Sequence, residues 1–394
     1  MPHQAKSAII GLGMTQMGKV FGRSGTSLAL EAIDLAMKDA GIEKHQLDGL
    51  LINAGVSNAI GLGLQNAGGF KGLRLLNHMN AAGSTACQMV HYATAAVQNG
   101  MANYVACVFA DVPLADPTSS GGAAYGRAGA RPPGQPVPGW AGLSLHYGPM
   151  SPNSSYAMAA RRHMYQYGTT SEQFGAIAVA ERAWAVNNPF AQMREPITIE
   201  DHQASRWIAE PFHLLDCCLV SNGAIAVIVT SVERARDARA NPAYVLAMAQ
   251  GHPGNLQEAG DDHDTRTGAA IARETLYGQL GITARDIDIC ELYDCYTYTV
   301  LVTLEDYGFC AKGEGGPFVE DGKLGPGGCL PTNTGGGELS GYYMWGMTPI
   351  SEAVIQARGS AGERQIAKND LVLVTGNGGI LDYHAAMVLS PRPA

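Results

Sequence analysis

Basic charge is what this chain has least of. Lys and Arg number 26 against 35 Asp and Glu, the four together make up 15% of 394 residues, and the net charge is −9. Nucleic-acid binders and proteins that cling to anionic membranes carry clustered Lys and Arg, so this balance excludes both classes. Long apolar runs are missing as well: none reaches the roughly 20 residues that a bilayer-spanning helix needs. The amino-terminal stretch MPHQAKSAIIGLGM has neither the Arg-rich amphipathic pattern nor the cleavage-site pattern of a targeting segment, and a cytoplasmic protein is expected. No CxxC spacing occurs among the eight cysteines, most of which have apolar neighbours. They read as buried thiols rather than as a disulfide framework or a zinc site. No metal and no cofactor is expected, and partners should be small molecules or other proteins.

What the chain does have is enough length and apolar content, 46%, for more than one core. It also repeats itself. DAGIEKHQLDGLLI (residues 39–52) and QLGITARDIDICEL (residues 279–292) share Gly41-Ile42 with Gly281-Ile282, and Leu47-Asp48 with Ile287-Asp288, without a gap. Each follows an amphipathic helix and leads into an apolar strand. Later parts correspond too: AAGSTACQ opens a helix and the strand YVACVFA, while GGELSGYYMWGM opens a helix and the strand DLVLVTG. Strands alternating with helices predict parallel sheets covered on both faces. The expected halves are 1–240 and 241–394, with a loop domain inserted at about 112–211. There the sequence turns rich in Gly and Pro before two further helical stretches.

Four stretches carry the chemistry. NAAGSTA (residues 80–86) is a small-residue turn at a helix start, with Gly83 at its centre and Cys87 one residue beyond it. ELYDCYT (residues 291–297) places Tyr293 at a strand end. NTGGGELSGYYMWGM (residues 333–347) delivers Asn333, Tyr342 and Tyr343 through a glycine-rich loop, and GNGGILDYH (residues 376–384) adds His384.

With these motifs the whole chain resembles the thiolase superfamily, in the thiolase-like branch associated with sterol carrier protein x. The resemblance implies an α/β thiolase fold: duplicated βαβαβ halves forming a five-layer αβαβα sandwich with an inserted loop domain. It also exposes what has been replaced. Gly83 stands where the family has its nucleophilic cysteine, Tyr293 and Tyr343 stand where related thiolases have histidines, and the late cysteine is absent from GNGG. Without a nucleophile acyl transfer has no acceptor. Retro-aldol cleavage of a β-hydroxyacyl-CoA needs only two proton-transfer groups. Tyrosine, with an ordinary pKa of about 10, is nearer to an alcohol than histidine at about 6.5.

The arrangement is similar to the steroid side-chain-cleaving aldolases of this branch, whose two proton-transfer tyrosines match Tyr293 and Tyr343. That likeness implies a CoA thioester with a tertiary β-hydroxyl, cleaved to a ketone and a short acyl-CoA such as propionyl-CoA. It also implies a thiolase-like homodimer bound to a small zinc-binding partner with an OB fold. Gly83 is expected to open space beside the reacting carbons, Asn333 to help bind an oxyanion or a water, and His384 to point toward the site; Tyr342 is a wall residue. Two alternatives stand beside this reading. One is a CoA-dependent thiolase or acyltransferase using Cys87 or another unusual thiol, the other a non-catalytic thiolase-like subunit. Gly251-His252-Pro253 reads as a turn, His146 and His163 as surface or packing residues, and the acidic stretch at residues 261–268 as the first turn of a helix.

Overall fold

The computed structural model describes residues 4–119, 151–254 and 265–393. His146 and the acidic residues 261–264 lie outside them. Strands β1 (Ser7–Met14), β2 (Gly49–Ala54), β3 (Leu75–His78), β4 (Tyr104–Asp111) and β7 (Gly223–Thr230) belong to the first half. Strands β8 (Ala243–Gly251), β9 (Ile289–Glu291), β10 (Val372–Gly378) and β11 (Tyr383–Ser390) belong to the second, while the short hairpin β5 (Trp207–Ala209) and β6 (Phe212–His213) lies apart. The main strand order is β3-β2-β4-β7-β1-β8-β11-β10-β9. Read outward from the central β1/β8 seam, β1, β7, β4 and β2 are matched by β8, β11, β10 and β9.

The repeated sequence does the same work twice. Helices Gly25–Ala40 and Gly268–Leu280 both end at a left-handed glycine, Gly41 and Gly281. Ile42 and Ile282 then donate their N–H groups back to Met37 and Tyr277, and the Asp48 and Asp288 carboxylates accept from the backbone of Tyr104 and Leu371.

The sheets are mixed, not parallel as the alternation predicts. β2 pairs in parallel with β3 and β4, and β9 with β10. β7 is antiparallel to β4 and β1, and β11 to β10 and β8. Four residues separate β10 from β11, too few for the crossover that a parallel pair needs. The halves are also joined rather than merely stacked, through a short ladder in which Ser7, Ala8 and Ile9 face Val245, Tyr244 and Ala243. Helices Thr85–Gln98 and Met347–Ala357 touch strands of both halves and form the middle layer; Gly25–Ala40 covers the first half and Gly268–Leu280 the second. The α/β five-layer reading therefore holds, with a nine-stranded sheet folded around the middle helices. Helix Ser171–Ala185, between β4 and β7, packs on the Gly337–Gly341 turn and on helix Thr297–Asp306. No helix among the described residues is long and apolar enough to cross a membrane.

Candidate active site

Tyr293 leaves the end of β9 held at three points. The N–H of Leu292 donates to Asn333 Oδ1 (2.7 Å), the N–H of Tyr293 donates to Thr375 Oγ1 on β10 (3.2 Å), and the Tyr293 carbonyl accepts from Thr299 Oγ1 (3.1 Å). Tyr343 follows a single π-helical turn, Gly337–Gly341, and its N–H donates to Ser221 Oγ (3.1 Å) just ahead of β7. The two phenols, 50 residues apart in sequence, meet with their oxygens 2.9 Å apart and ring centroids 6.4 Å apart. Both are buried, at 4% and 8% exposure. Three non-glycine residues nearby in the chain hold left-handed backbones, Ala82, Asn333 and Trp345, at φ of 50°, 50° and 48°. Such conformations cost on the order of 1–3 kcal/mol each and gather where geometry is functionally constrained.

Gly83 corrects an expectation. A Cβ there would lie 2.2 Å from Tyr293 Cζ and 2.3 Å from the Asn377 carbonyl oxygen. The space left by a missing side chain is filled by the Tyr293 ring, and no room for substrate is opened. Cys87 is fully buried, and burial pushes its thiol up to about 12, so the thiolate that a displaced nucleophile requires is not available near neutral pH.

The other expected site residues have different employment. Asn333 spends both ends of its amide on protein, accepting from Leu292 N–H and donating to Glu181 Oε1 (2.7 Å). It positions the strand end that carries Tyr293, with its carbonyl oxygen on Leu292 and one amide N–H on Glu181. His384 lies at hydrogen-bond distance from the Tyr307 hydroxyl (2.9 Å), fully buried, with its pKa lowered by burial to about 3. It therefore belongs to a Tyr307 pair instead of pointing at the two phenols. Tyr342, the expected wall residue, bonds Ser351 Oγ (2.9 Å). His163 is buried against Glu305 (3.0 Å), and His252 lies exposed just past the end of β8, beside Gln250.

Sequence reasoning passed over Asp294, although it stands inside the quoted motif. Its Oδ2 accepts the N–H groups of Glu338 (2.7 Å) and Leu339 (3.0 Å) in the π-helical turn. Burial raises its carboxyl to about 6 against the hydrogen bonds that pull it down. Glu181 and Glu338 are buried beside it, and burial followed by the Asp294 charge raises both well above the ordinary carboxyl value. Two larger cavities, about 660 and 770 Å³, lie elsewhere and are lined by neither tyrosine.

A model of the family described as thiolase C-terminal domain-like matches residues 250–391. The chain is 39% identical to a steroid side-chain-cleaving aldolase of Thermomonospora curvata, over 94% of this chain and 95% of that one. It is 38% identical to a 17-hydroxy-3-oxo-4-pregnene-20-carboxyl-CoA lyase of Mycobacterium tuberculosis, over 95% and 97%. Among solved structures, the Ltp2-ChsH2(DUF35) aldolase superposes with a TM-score of 0.85 at 37% identity, covering 98% of this chain and 97% of that one.

Proposed function

This chain belongs to the thiolase superfamily, in the branch of the steroid side-chain-cleaving aldolases, and we propose that it breaks the Cα–Cβ bond of a steroid β-hydroxyacyl-CoA with Tyr293 and Tyr343 as its proton-transfer pair. The observation that carries this reading is the 2.9 Å contact between two buried phenols on loops from different parts of the chain. One phenolate takes the proton of the tertiary β-hydroxyl. The oxygen's electron pair becomes the ketone carbonyl, and the Cα–Cβ pair moves into the thioester as an enolate. A second proton, from the other phenol, reaches Cα and completes a short acyl-CoA such as propionyl-CoA. No free CoA is consumed. A phenol donating a hydrogen bond to its neighbour stabilises the neighbour's charged form, which lets a close pair carry a base and an acid together.

The same reading includes a thiolase-like homodimer and a small partner protein of OB fold, and no cofactor. The likeness to the solved Ltp2-ChsH2(DUF35) aldolase, named for two components, supports a heteromeric partner. The test uses this chain purified with such a partner and a steroid CoA thioester bearing a tertiary β-hydroxyl. Ketone should appear without added CoA, and Tyr343→Phe should lower kcat by about a hundredfold or more, the scale of a lost proton-transfer group. Undiminished cleavage by Tyr343→Phe would falsify the mechanism.

A further inference from the structure

We propose that Asp294 is the positioning residue that fixes the distance between the two phenols, clasping the turn that delivers Tyr343 from a point next to Tyr293 in the chain. The inference rests on the tyrosine-pair reading above. Tyr293 and Asp294 are consecutive, so wherever the β9 loop carries one phenol it carries this carboxylate with it. Asp294 Oδ2 then takes two successive N–H groups, of Glu338 and Leu339, from the π-helical turn that ends two residues before Tyr343. Charge-assisted bonds of this kind are roughly twice as strong as neutral ones.

The turn is shaped for the clasp. A Cβ on Gly337, whose φ is +58°, would lie 2.2 Å from Asp294 Oδ2, so only glycine lets the backbone come close enough to be gripped. Helix Ser171–Ala185 braces the arrangement from above. The buried side chain of Glu181 sits against Asp294 and holds Asn333, which in turn holds Leu292, the residue before Tyr293. The chain of contacts thus closes on itself around both phenols.

The groups facing Asp294 are Glu181 on that helix, Glu338 in the turn, and the Cys218 and Cys295 thiols, all with pKa values raised by burial and then by neighbouring charge. Burial raises all of these groups, and Asp294, held at about 6, is the carboxylate that takes up a proton on mild acidification. Protonating it weakens the grip on the turn, so cleavage should fall as pH drops through that value.

Three variants of the complete protein with its partner, assayed on the steroid CoA thioester, test this. Gly337→Ala pushes the turn off the carboxylate and should cut kcat about a hundredfold, the cost of a misplacement near 1 Å, with KM within about twofold. Asp294→Asn keeps an oxygen acceptor but cannot ionise; at neutral pH it should already show the lowered rate that the wild type reaches below pH 6, with no further fall near that value. Tyr343→Phe is the control for the underlying reading. If Tyr343→Phe is inactive while Gly337→Ala keeps the wild-type kcat, or Asp294→Asn keeps the wild-type acid limb, the clasp is wrong and the tyrosine pair stands. Full activity of Tyr343→Phe removes the pair itself.

Discussion

Gly83 and Tyr293 are one decision made at two positions. The tyrosine ring occupies the volume that any side chain at 83 would need, at contacts near 2.2 Å, far inside van der Waals range. Gly83→Ala should therefore swing the Tyr293 ring away from Tyr343 and reduce cleavage by about a hundredfold, because reacting groups tolerate little displacement. Overpacking of this sort costs roughly 1–3 kcal/mol, so the variant should still fold, with a modestly lower Tm. Steady-state kinetics beside a thermal melt check both halves of the expectation; wild-type turnover would mean that the ring has somewhere else to go. The sequence identified each residue singly, by alignment with thiolase motifs. Their mutual exclusion was illegible there, since it depends on a ring from residue 293 crossing under a turn at residue 83.

Elements were easier to read than contacts. The repeat around Gly41 and Gly281 correctly announced two copies of a helix, a short turn and a strand, because a left-handed glycine and an aspartate that ties the strand start are local features. Strand direction was not local. An antiparallel return such as β10 to β11 looks in sequence like any apolar strand after a glycine turn, and only the four-residue gap betrays it. Asn333 shows the same limit at the site: its place in NTGGG was clear, but its two partners lie 41 and 152 residues away. Asn333→Ala should strand the buried Leu292 N–H and remove the donor to Glu181. Each unsatisfied buried group costs about 1–3 kcal/mol, so a loss of about 2–6 kcal/mol in unfolding free energy is expected by chemical denaturation. A loss under about 1 kcal/mol would mean that the loop finds substitutes.

At the scale of the whole molecule, buried acids set how stability follows pH. Glu181, Glu291 and Glu338 are held well above the ordinary carboxyl value by burial, and Asp294 at about 6. The folded chain binds these protons more tightly than the unfolded one, so their contribution is full below the ordinary carboxyl range near 4 and is lost as pH rises through the raised values. His91 and His384, lowered by burial to about 4 and about 3, act in the opposite sense: their contribution is full above about 6.5 and is lost as pH falls toward those values. Tm should therefore peak in mild acid and decline toward pH 8. Glu338→Gln, which replaces a carboxyl that makes no hydrogen bond among the described residues, should flatten the alkaline decline. An unchanged slope in that variant would refute the assignment.

The filled space beside Gly83 also constrains how such a chain can change its chemistry one substitution at a time. A cysteine arriving at 83 while a tyrosine holds 293 pushes the phenol out of place, and a tyrosine arriving at 293 while a cysteine holds 83 meets the same clash. A single-step route between acyl transfer and aldol cleavage that avoids this clash runs through an intermediate with glycine at 83 and a smaller residue at 293. If the tyrosine pair is the proton-transfer machinery proposed above, such a chain has neither the nucleophile nor the phenol, and the two activities are separated by a stretch in which the protein does neither.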